Sequence, residues 1–442
     1  MQRISKLIKR HRQANWTLAD QSVVSGSNFI TGILLARFLG PEAFGLFVLL
    51  QSVLLYVNSF PGSLLFLPMM SAAPQLADAE RQQYLQGVFA LQLMLSLGLA
   101  AITGVLALFA DALFGFDGLR PSVIMALIAA LIGFQLQDWQ RRYYFVQEHT
   151  RAACFNDIIS YGGQTVLVLM AGVSNHLNVA NAFWIIAATS FIAFIVGYSI
   201  DRLAPIFVHA RSVLIDGWRT GRDYFVAWQF QWLGSQGVFM VGAGVVGTQG
   251  VGGVRATQSM VGPITIMFQA MENFVPIKAA RHYSTAGMPG LLNFLWRITL
   301  LGTLLLVPLL LLVCLFARPL IHLLYGEQYL AFATLIYWQA AYIVIQFYQR
   351  ISFFFLRTVK ATSIVLRCGI LMAVFSLAVA AFSVHRYQEL GLIMATLSGT
   401  SIALIYSLIA ARKLSRDLIT PATTQAIITP ELRPQSPHGE QA

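Results

Sequence analysis

The sequence predicts an all-α polytopic membrane protein with twelve transmembrane helices. Of its 442 residues, 57% are hydrophobic and only 11% are charged, whereas a soluble domain carries about 25% charged residues. So few charges cannot cover a surface that faces water, and the apolar excess must therefore face lipid. Apolar runs of about 20 residues, the length that crosses a bilayer, also recur along the whole chain, and Lys and Arg concentrate in alternate connections between them.

Twelve segments satisfy the length and composition of a spanning helix. Short connections that contain Gly, Pro or charged residues separate them, and none of these connections is long enough to fold as a domain. In chain order, the predicted spans are Thr17–Leu39, Ala43–Met70, Gly87–Ala110, Pro121–Gln140, Cys154–Val173, Val179–Ile200, Tyr224–Val246, Val251–Ile277, Leu291–Ala317, Leu330–Phe355, Ile364–Val384 and Leu390–Ala411.

The distribution of Lys and Arg predicts that both termini are cytoplasmic. With that orientation, 24 of the 29 basic residues fall on the cytoplasmic side, as the positive-inside rule requires. The predicted organisation is a basic N-terminal segment (1–16), an N-terminal bundle (17–200), a charged linker (201–222), a C-terminal bundle (223–412) and a disordered tail (413–442). The predicted location is a bacterial inner membrane.

An internal repeat supports a division into two six-helix bundles. Gly40, Gly45, Gln51 and Ser52 reappear 207 positions later as Gly247, Gly252, Gln258 and Ser259. Because six is even, both halves start on the same side of the membrane. The two bundles are therefore predicted to be related by a pseudo-twofold axis along the membrane normal.

Polar side chains concentrate on the first two spans of each half. A charge at the centre of a bilayer costs roughly 2.5 to 3.5 kcal/mol on insertion scales, so these faces are expected to line a water-filled cavity between the bundles. The alternatives are hydrogen bonding between helices and snorkelling to the interface. The third, sixth, ninth, eleventh and twelfth spans are nearly all apolar and are expected to face lipid or to pack.

Other function classes find little support in the sequence. The net charge of +11 could indicate nucleic acid, but the basic residues lie in short loops and form no basic face. Gly242, Gly244 and Gly247 match G-x-G-x-x-G at the end of a membrane span, where the βαβ context of a dinucleotide site is missing. No P-loop is present, and the histidines and the three cysteines lack metal-ligand spacing. No enzyme activity, metal or cofactor is predicted.

Two segments resemble a known family. Residues 25–52, SGSNFITGILLARFLGPEAFGLFVLLQS, and above all LARFLGPEAFGLF at 35–47, resemble the opening helical pair of polysaccharide and O-antigen flippases. The run QDWQRRYYFVQE at 137–148 resembles the end of their fourth helix. These flippases belong to the multidrug/oligosaccharidyl-lipid/polysaccharide exporter superfamily. The close match covers only the first helical pair, whereas the helix count and the repeat fit along the whole chain.

The resemblance implies a flippase that moves polyprenyl-diphosphate-linked oligosaccharide to the outer leaflet by alternating access, for the synthesis of lipopolysaccharide or exopolysaccharide. It implies the lipid bilayer, a polysaccharide polymerase and export machinery as partners. A cationic cavity is expected, because a guanidinium binds phosphate oxygens bidentately. Asp20, Glu272 and Asp157 are candidates for ion coupling. The candidates for substrate binding are Arg37, Arg255, Asn28, Gln51, Gln229, Trp232, Gln258 and Tyr342.

Three alternatives remain open at this stage. An ion-coupled multidrug or cation exporter of the same superfamily would need acidic residues deep in the N-terminal half. A peptidoglycan-precursor flippase usually has fourteen helices. A membrane glycosyltransferase or a polysaccharide polymerase would carry catalytic residues in large loops, and the sequence shows no such loop.

Overall fold

The computed structural model describes residues 2–114 and 120–419, and within this part of the chain it contains helices and no strand. Three of the helical segments are single π-helical turns, at Gly62–Phe66, Ile158–Gly162 and Leu233–Gly237. The other helices are Gln2–Pro61, Leu67–Ala72, Ala73–Gln75, Asp78–Phe114, Pro121–Val146, Thr150–Asp157, Gly163–Val173, Val179–Asp201, Phe207–His209, Ala210–Trp232, Val238–Met260, Gly262–Leu315, Ala317–Tyr325, Glu327–Phe332, Leu335–Thr358 and Thr362–Ile419.

The twelve-span prediction is confirmed, although several helices run on from one span into the next. Seven described helical stretches are long and apolar enough to cross a membrane, judged by length and composition. Non-helical residues divide four of the helices, at Gly40, Gly247, Gly287 and Gln388. Divided there, the chain forms spans 1 to 12 at 15–39, 41–72, 78–114, 121–146, 150–173, 179–201, 210–246, 248–286, 288–315, 335–358, 362–387 and 389–419.

The turn that follows the first span of each half supports the internal repeat. Gly40 has φ 78° and ψ 169°, and Gly247, 207 positions later, has φ 67° and ψ 178°. Positive φ is accessible to glycine at little cost but strains other residues. The same unusual backbone conformation therefore occurs at equivalent places in the two halves.

Two predicted boundaries differ from the structure. Most of the linker predicted at 201–222 is helical, because Ala210–Trp232 continues without interruption into span 7. Helix Thr362–Ile419 also runs seven residues into the predicted tail. The rest of that tail, 420–442, lies outside the described residues. Membrane spans can extend beyond the hydrocarbon as helices, so a change in composition does not mark where a helix ends.

Spans 1–6 and spans 7–12 form two bundles that meet along spans 2 and 7. Tyr56 packs on Trp232 with ring centroids 4.5 Å apart, and Phe60 packs on Phe225 at 5.0 Å. Closer to the membrane face on which the N-terminus lies, here called the N-side, Gly221 of span 7 lies directly against the backbone of span 2. The polar stretches of these two spans are therefore in contact in this conformation.

The bundles also meet on the opposite face, here called the far side, through a backbone crossing. An ideal Cβ on Gly45 would lie 2.9 Å from the nitrogen of Gly252, and one on Gly252 would lie 3.0 Å from the nitrogen of Gly45. The two residues are equivalent in the repeat. Glycine is needed here because any side chain would hold the two backbones apart. The crossing closes the far side of the interface.

Candidate functional site

A small cavity in the C-terminal bundle collects polar side chains from four spans. It is lined by Gln236 of span 7, Arg255 and Gln258 of span 8, Tyr342 of span 10, and Thr396 and Thr400 of span 12. Three of the predicted substrate-binding residues, namely Arg255, Gln258 and Tyr342, therefore lie together. The cavity holds about 40 Å³, which is close to the share of one water molecule in the liquid.

Arg255 is the central charge of this cavity. Its guanidinium donates hydrogen bonds to Oε1 of Gln258 at 2.9 Å and to Oε1 of Gln236, and it lies 3.8 Å from the centroid of the Phe239 ring. No carboxylate among the described residues forms an ion pair with it. A charge taken out of water is costly unless it is paired. Neutral amide oxygens and a ring face are weaker partners than an anion would be.

A π-helical turn shapes the wall of this cavity. The turn Leu233–Gly237 includes Gln236, and the cavity lining also includes Gly234 and Ser235. A π-turn inserts one residue into a helix and is frequent at functional sites. Gln236 reaches the other bundle as well, because its Oε1 lies 3.5 Å from Oγ of Ser52, the donor in this contact. The cavity is thus linked to the interface between the bundles.

A second polar cluster lies inside the N-terminal bundle. Arg141 of span 4 forms ion pairs with Asp20 of span 1 at 2.7 Å and with Asp157 of span 5 at 2.6 Å. Nε2 of Gln137 donates to Oδ1 of Asp157 at 2.8 Å and to Oδ1 of Asn156 at 2.9 Å. Both carboxylates are almost fully buried. Together with the guanidinium they carry a net charge of −1 when all three groups are ionised.

This charged triad is incompletely satisfied. Oδ1 of Asp20 and Oε1 of Gln137 are buried and accept no hydrogen bond within the described part of the chain. Buried acceptors without partners are costly, so the triad has both the charge and the free oxygen atoms to take up a proton or a monovalent cation. The π-turn Ile158–Gly162 begins directly after Asp157.

Glu272, the third predicted coupling residue, belongs to a separate site. It lies in span 8 of the C-terminal bundle and forms ion pairs with Arg350 at 3.1 Å and Arg357 at 2.9 Å, both of span 10. About a third of its side chain is exposed. The structure thus brings Asp20 and Asp157 together and places Glu272 in the other bundle.

Arg37 lies at the far-side end of span 1 and is not among the residues that line the cavity around Arg255. Its guanidinium donates to the carbonyl oxygen of Leu323 at 2.8 Å, and the side chain is exposed. Close by, the hydroxyl of Tyr329 donates to the carbonyl oxygen of Ala36 at 2.9 Å. Arg37 therefore ties the end of span 1 to the far-side connection between spans 9 and 10. Its contact with substrate stays a prediction.

The four remaining candidates lie on spans 1, 2 and 7. Asn28 is exposed on span 1, and Gln51 is partly buried on span 2. Trp232 packs on Tyr56 across the bundle interface, and the amide of Gln229, one helical turn before it, has no hydrogen-bond partner among the described residues. All four lie on the spans predicted to line the cavity, while their role with substrate stays a prediction.

Several residues of both sites were missed by sequence reasoning. Arg141 follows Asp138 and precedes Arg142 in a charged run at the end of span 4, but it turns inward to Asp20 and Asp157. Asp138 pairs with Arg142 at 3.2 Å and accepts a hydrogen bond from Asn58 at 3.0 Å. Thr396 and Thr400 belong to a span that was expected to be nearly all apolar and to face lipid or to pack. A helical wheel could have placed Arg141 on the inner face, but not its partners on spans 1 and 5.

The fold is that of transporters of the multidrug/oligosaccharidyl-lipid/polysaccharide (MOP) superfamily. No protein-family model matches the sequence, and no curated protein matches it either. Solved structures do match. An inward-facing multidrug resistance MATE family transporter of this superfamily aligns over 92% of this chain and 99% of its own, at 17% identity and a TM-score of 0.69.

Two further structures show the same architecture. The lipid II flippase MurJ, in an inward closed conformation, aligns over 90% of this chain and 87% of its own, at 13% identity and a TM-score of 0.68. An outward-facing MATE family transporter aligns over 93% and 96%, at 17% identity and a TM-score of 0.58. At these identities the comparisons show the fold alone.

Proposed function

We propose that the chain is a flippase that moves a polyprenyl-diphosphate-linked oligosaccharide from the cytoplasmic to the outer leaflet for surface polysaccharide synthesis. The observation that carries the proposal is Arg255, a cation inside a membrane bundle without an ion-pair partner among the described residues. A diphosphate supplies the missing anion. The amides and hydroxyls of Gln236, Gln258 and Tyr342 suit sugar hydroxyls.

The cavity around Arg255 has to open before it can hold such a head group. At about 40 Å³ it is far smaller than the roughly 300 to 1,000 Å³ of a typical ligand pocket. Alternating access supplies the opening, because separation of spans 2 and 7 exposes Gln236 and, behind it, Arg255. The conformation described here, in which spans 2 and 7 are in contact, is thus a closed state of the proposed cycle.

Asp20 and Asp157 are the proposed ion-coupling pair. A single proton or monovalent cation would neutralise the net charge of their triad with Arg141, and it would weaken the hold of Arg141 on span 1. Because span 1 also borders the bundle interface, ion binding at the triad can bias the bundle arrangement. Asp157→Asn is expected to abolish the dependence of transport on the ion gradient, while Glu272→Gln, in the other bundle, leaves that dependence in place.

An ion-coupled exporter of cationic drugs is the second candidate. It is favoured by the buried carboxylates of the N-terminal bundle and by the fold shared with MATE family transporters. Against it, Arg141 already pairs with both carboxylates, and the cavity of the C-terminal bundle would repel a cation. A membrane glycosyltransferase or polymerase is not supported, because the structural neighbours are transporters and a flippase.

The deciding experiment combines deletion with complementation. Deletion is expected to stop export of surface polysaccharide and to leave lipid-linked repeat units on the cytoplasmic leaflet. Wild type should restore export more fully than Arg255→Ala or Arg37→Ala at equal membrane abundance; unchanged export in both variants would contradict a cationic substrate site. Normal polysaccharide in the deletion strain, together with increased sensitivity to cationic dyes, would favour the drug exporter.

An inner-membrane location with cytoplasmic termini is part of the proposal. It rests on the distribution of basic residues in the sequence. Reporter fusions at the two ends test it, since alkaline phosphatase is active only outside the cytoplasm and green fluorescent protein is bright only inside it. Fluorescent fusions at both ends are the expected result, and an active phosphatase fusion at either end would contradict it.

A further inference from the structure

A groove of about 850 Å³ lies on the N-side of the N-terminal bundle. It lies between the end of span 4, the beginning of span 5 and the end of span 6, on the outside of the bundle and away from spans 2 and 7. Its size is that of a ligand pocket, and neither the substrate cavity nor the charged triad includes it. The residues that define its chemistry are Trp16, Arg151, Phe155, Ile159, Val196 and Ile200.

One end of the groove is cationic and aromatic. The guanidinium of Arg151 lies 5.7 Å from the ring centroid of Trp16 and 5.4 Å from that of Phe155. The described residues provide no carboxylate in an ion pair with it. Glu148 also lines the groove, but it already has an interaction partner of its own. Two rings thus hold a guanidinium at the level where the spans leave the membrane.

The other end of the groove is apolar and open to the bilayer. Ile159 continues the wall along span 5, and Val196, with 42% of its surface exposed, forms the facing wall on span 6. Ile200, 72% exposed, lies at the end of span 6 and level with the beginning of span 5, because Asn156 and Ala193 lie at the same level of these two antiparallel spans. From Arg151 to Ile159 span 5 rises about 12 Å. The groove therefore runs from a cation at the membrane surface into the hydrocarbon region.

We propose that this groove binds an anionic phospholipid, with its phosphate on Arg151 and an acyl chain along Val196 and Ile159. Charge complementarity selects the head group, because a guanidinium near the membrane surface attracts anionic lipids. Aromatic side chains prefer the same interfacial level. A water-soluble anion would use Arg151 but would leave the apolar walls uncovered, and an apolar peptide would leave the guanidinium without an anion.

The bound lipid would contact the hydrogen-bond network of the triad. Asn156 lines the groove. The amide of Gln137 donates hydrogen bonds both to Oδ1 of Asn156 and to Oδ1 of Asp157. The amide of Asn156 itself donates to the carbonyl oxygen of Ala193 on span 6 at 2.9 Å. One residue thus separates the groove from the buried carboxylate. The lipid would hold spans 5 and 6 together at the point where Asp157 is positioned.

Lipid binding to the full-length, delipidated protein in detergent tests the proposal. Native mass spectrometry would compare dioleoyl phosphatidylglycerol with dioleoyl phosphatidylcholine at equal concentrations. Arg151→Ala is expected to weaken phosphatidylglycerol binding about fivefold, the effect of about 1 kcal/mol per basic residue at a membrane surface, and to leave phosphatidylcholine unchanged. Arg219→Ala, which removes an exposed cation from the other bundle, is the matched control and should bind as wild type does.

A second variant tests the apolar end without changing Arg151. Val196→Asp places a charge at an exposed position of the apolar wall, so the fold is kept while the acyl chain is repelled, and phosphatidylglycerol binding should fall at least as far. Equal binding by wild type, Arg151→Ala and Arg219→Ala would overturn the proposal. If inorganic phosphate stabilised the protein as much as phosphatidylglycerol does, the proposal would also be overturned, because the groove would then be a site for a free anion.

Discussion

Replacement of Gly45 by alanine tests how closely the two bundles must approach on the far side. An alanine Cβ would overlap the carbonyl oxygen of Thr248 and would lie 2.9 Å from the nitrogen of Gly252. Optimal contacts of carbon atoms are about 3.5–4.0 Å, so the backbones of spans 2 and 8 must separate by about 1 Å or more. Because both contacts are with backbone, no side chain can rotate away to relieve them.

Gly45→Ala should destabilise only the conformation in which the far side is closed. Overpacking of this kind costs about 1–3 kcal/mol, and it disappears once the bundles separate on the far side. The equilibrium between far-side-closed and far-side-open states should therefore shift toward the open state by a factor of about 5 to 150. Gly252→Ala should act in the same way, because its Cβ would overlap the carbonyl oxygen of Pro41.

The assay is double electron–electron resonance between spin labels at the exposed far-side positions Glu42 and Arg318, one in each bundle. Gly45→Ala should raise the population of the longer distance. The matched control is Gly244→Ala, because a Cβ there would meet no atom within 4 Å. Identical distance distributions for wild type, Gly45→Ala and Gly244→Ala would refute the reasoning that this crossing closes the far side.

Two further substitutions test the backbone turn and the ion pairs of the C-terminal bundle. Gly40→Ala forces alanine to φ 78° and should destabilise the protein by about 1–2 kcal/mol. Its melting temperature should be lower than that of the control Gly32→Ala, because a Cβ at position 32 would meet no atom within 4 Å. Equal melting temperatures would contradict the backbone strain at Gly40. Glu272→Gln leaves the guanidinium groups of Arg350 and Arg357 without their carboxylate and should lower the free energy of unfolding by about 1 kcal/mol. The control is Glu80→Gln, at an exposed position. Equal melting temperatures of the two variants would show that these ion pairs contribute nothing to stability.

The membrane architecture could be predicted from the sequence because it follows from the difference between lipid and water as solvents for apolar and charged side chains. Apolar length and alternating basic loops determine where the chain crosses the bilayer, and the 207-residue offset of Gly40 and Gly247 correctly located equivalent turns. Helix ends were less predictable. The helix that begins at Ala210 continues through a charged region, because backbone hydrogen bonds hold a helix together in water as well as in lipid.

Side-chain partners could be predicted only in part. Arg255, Gln258 and Tyr342 were expected near substrate and do share one cavity, because burying a polar group in a membrane favours convergence on a common polar site. Arg141, by contrast, was not among the residues that the sequence suggested for either site. Its two carboxylate partners come from spans 1 and 5, and sequence spacing says nothing about which spans of a bundle are neighbours.

The charges of the two bundles are unequal in a way that bears on the transport cycle. In the N-terminal bundle, Arg141 has two carboxylates. In the C-terminal bundle, the partners of Arg255 among the described residues are the amide oxygens of Gln236 and Gln258 and the ring of Phe239, and none of them is charged. In the proposed cycle, an arriving anion would displace those neutral acceptors, because it adds the attraction of opposite charges to the hydrogen bonds of the guanidinium. Gln236, which also contacts Ser52 of the other bundle, would then be released.

Gln236→Glu tests this competition by supplying the anion from the protein itself. The new carboxylate would pair with Arg255, so transport of an anionic substrate should be lost while the folded protein becomes no less stable. Gln236→Ala is the matched control, since it removes the neutral acceptor, leaves Arg255 free for substrate and should keep transport. Substrate that binds the Glu and Ala variants equally well would mean that Arg255 is not the anion ligand. Loss of transport in both variants, with unchanged substrate binding, would mean instead that the contact with Ser52 matters more than the charge.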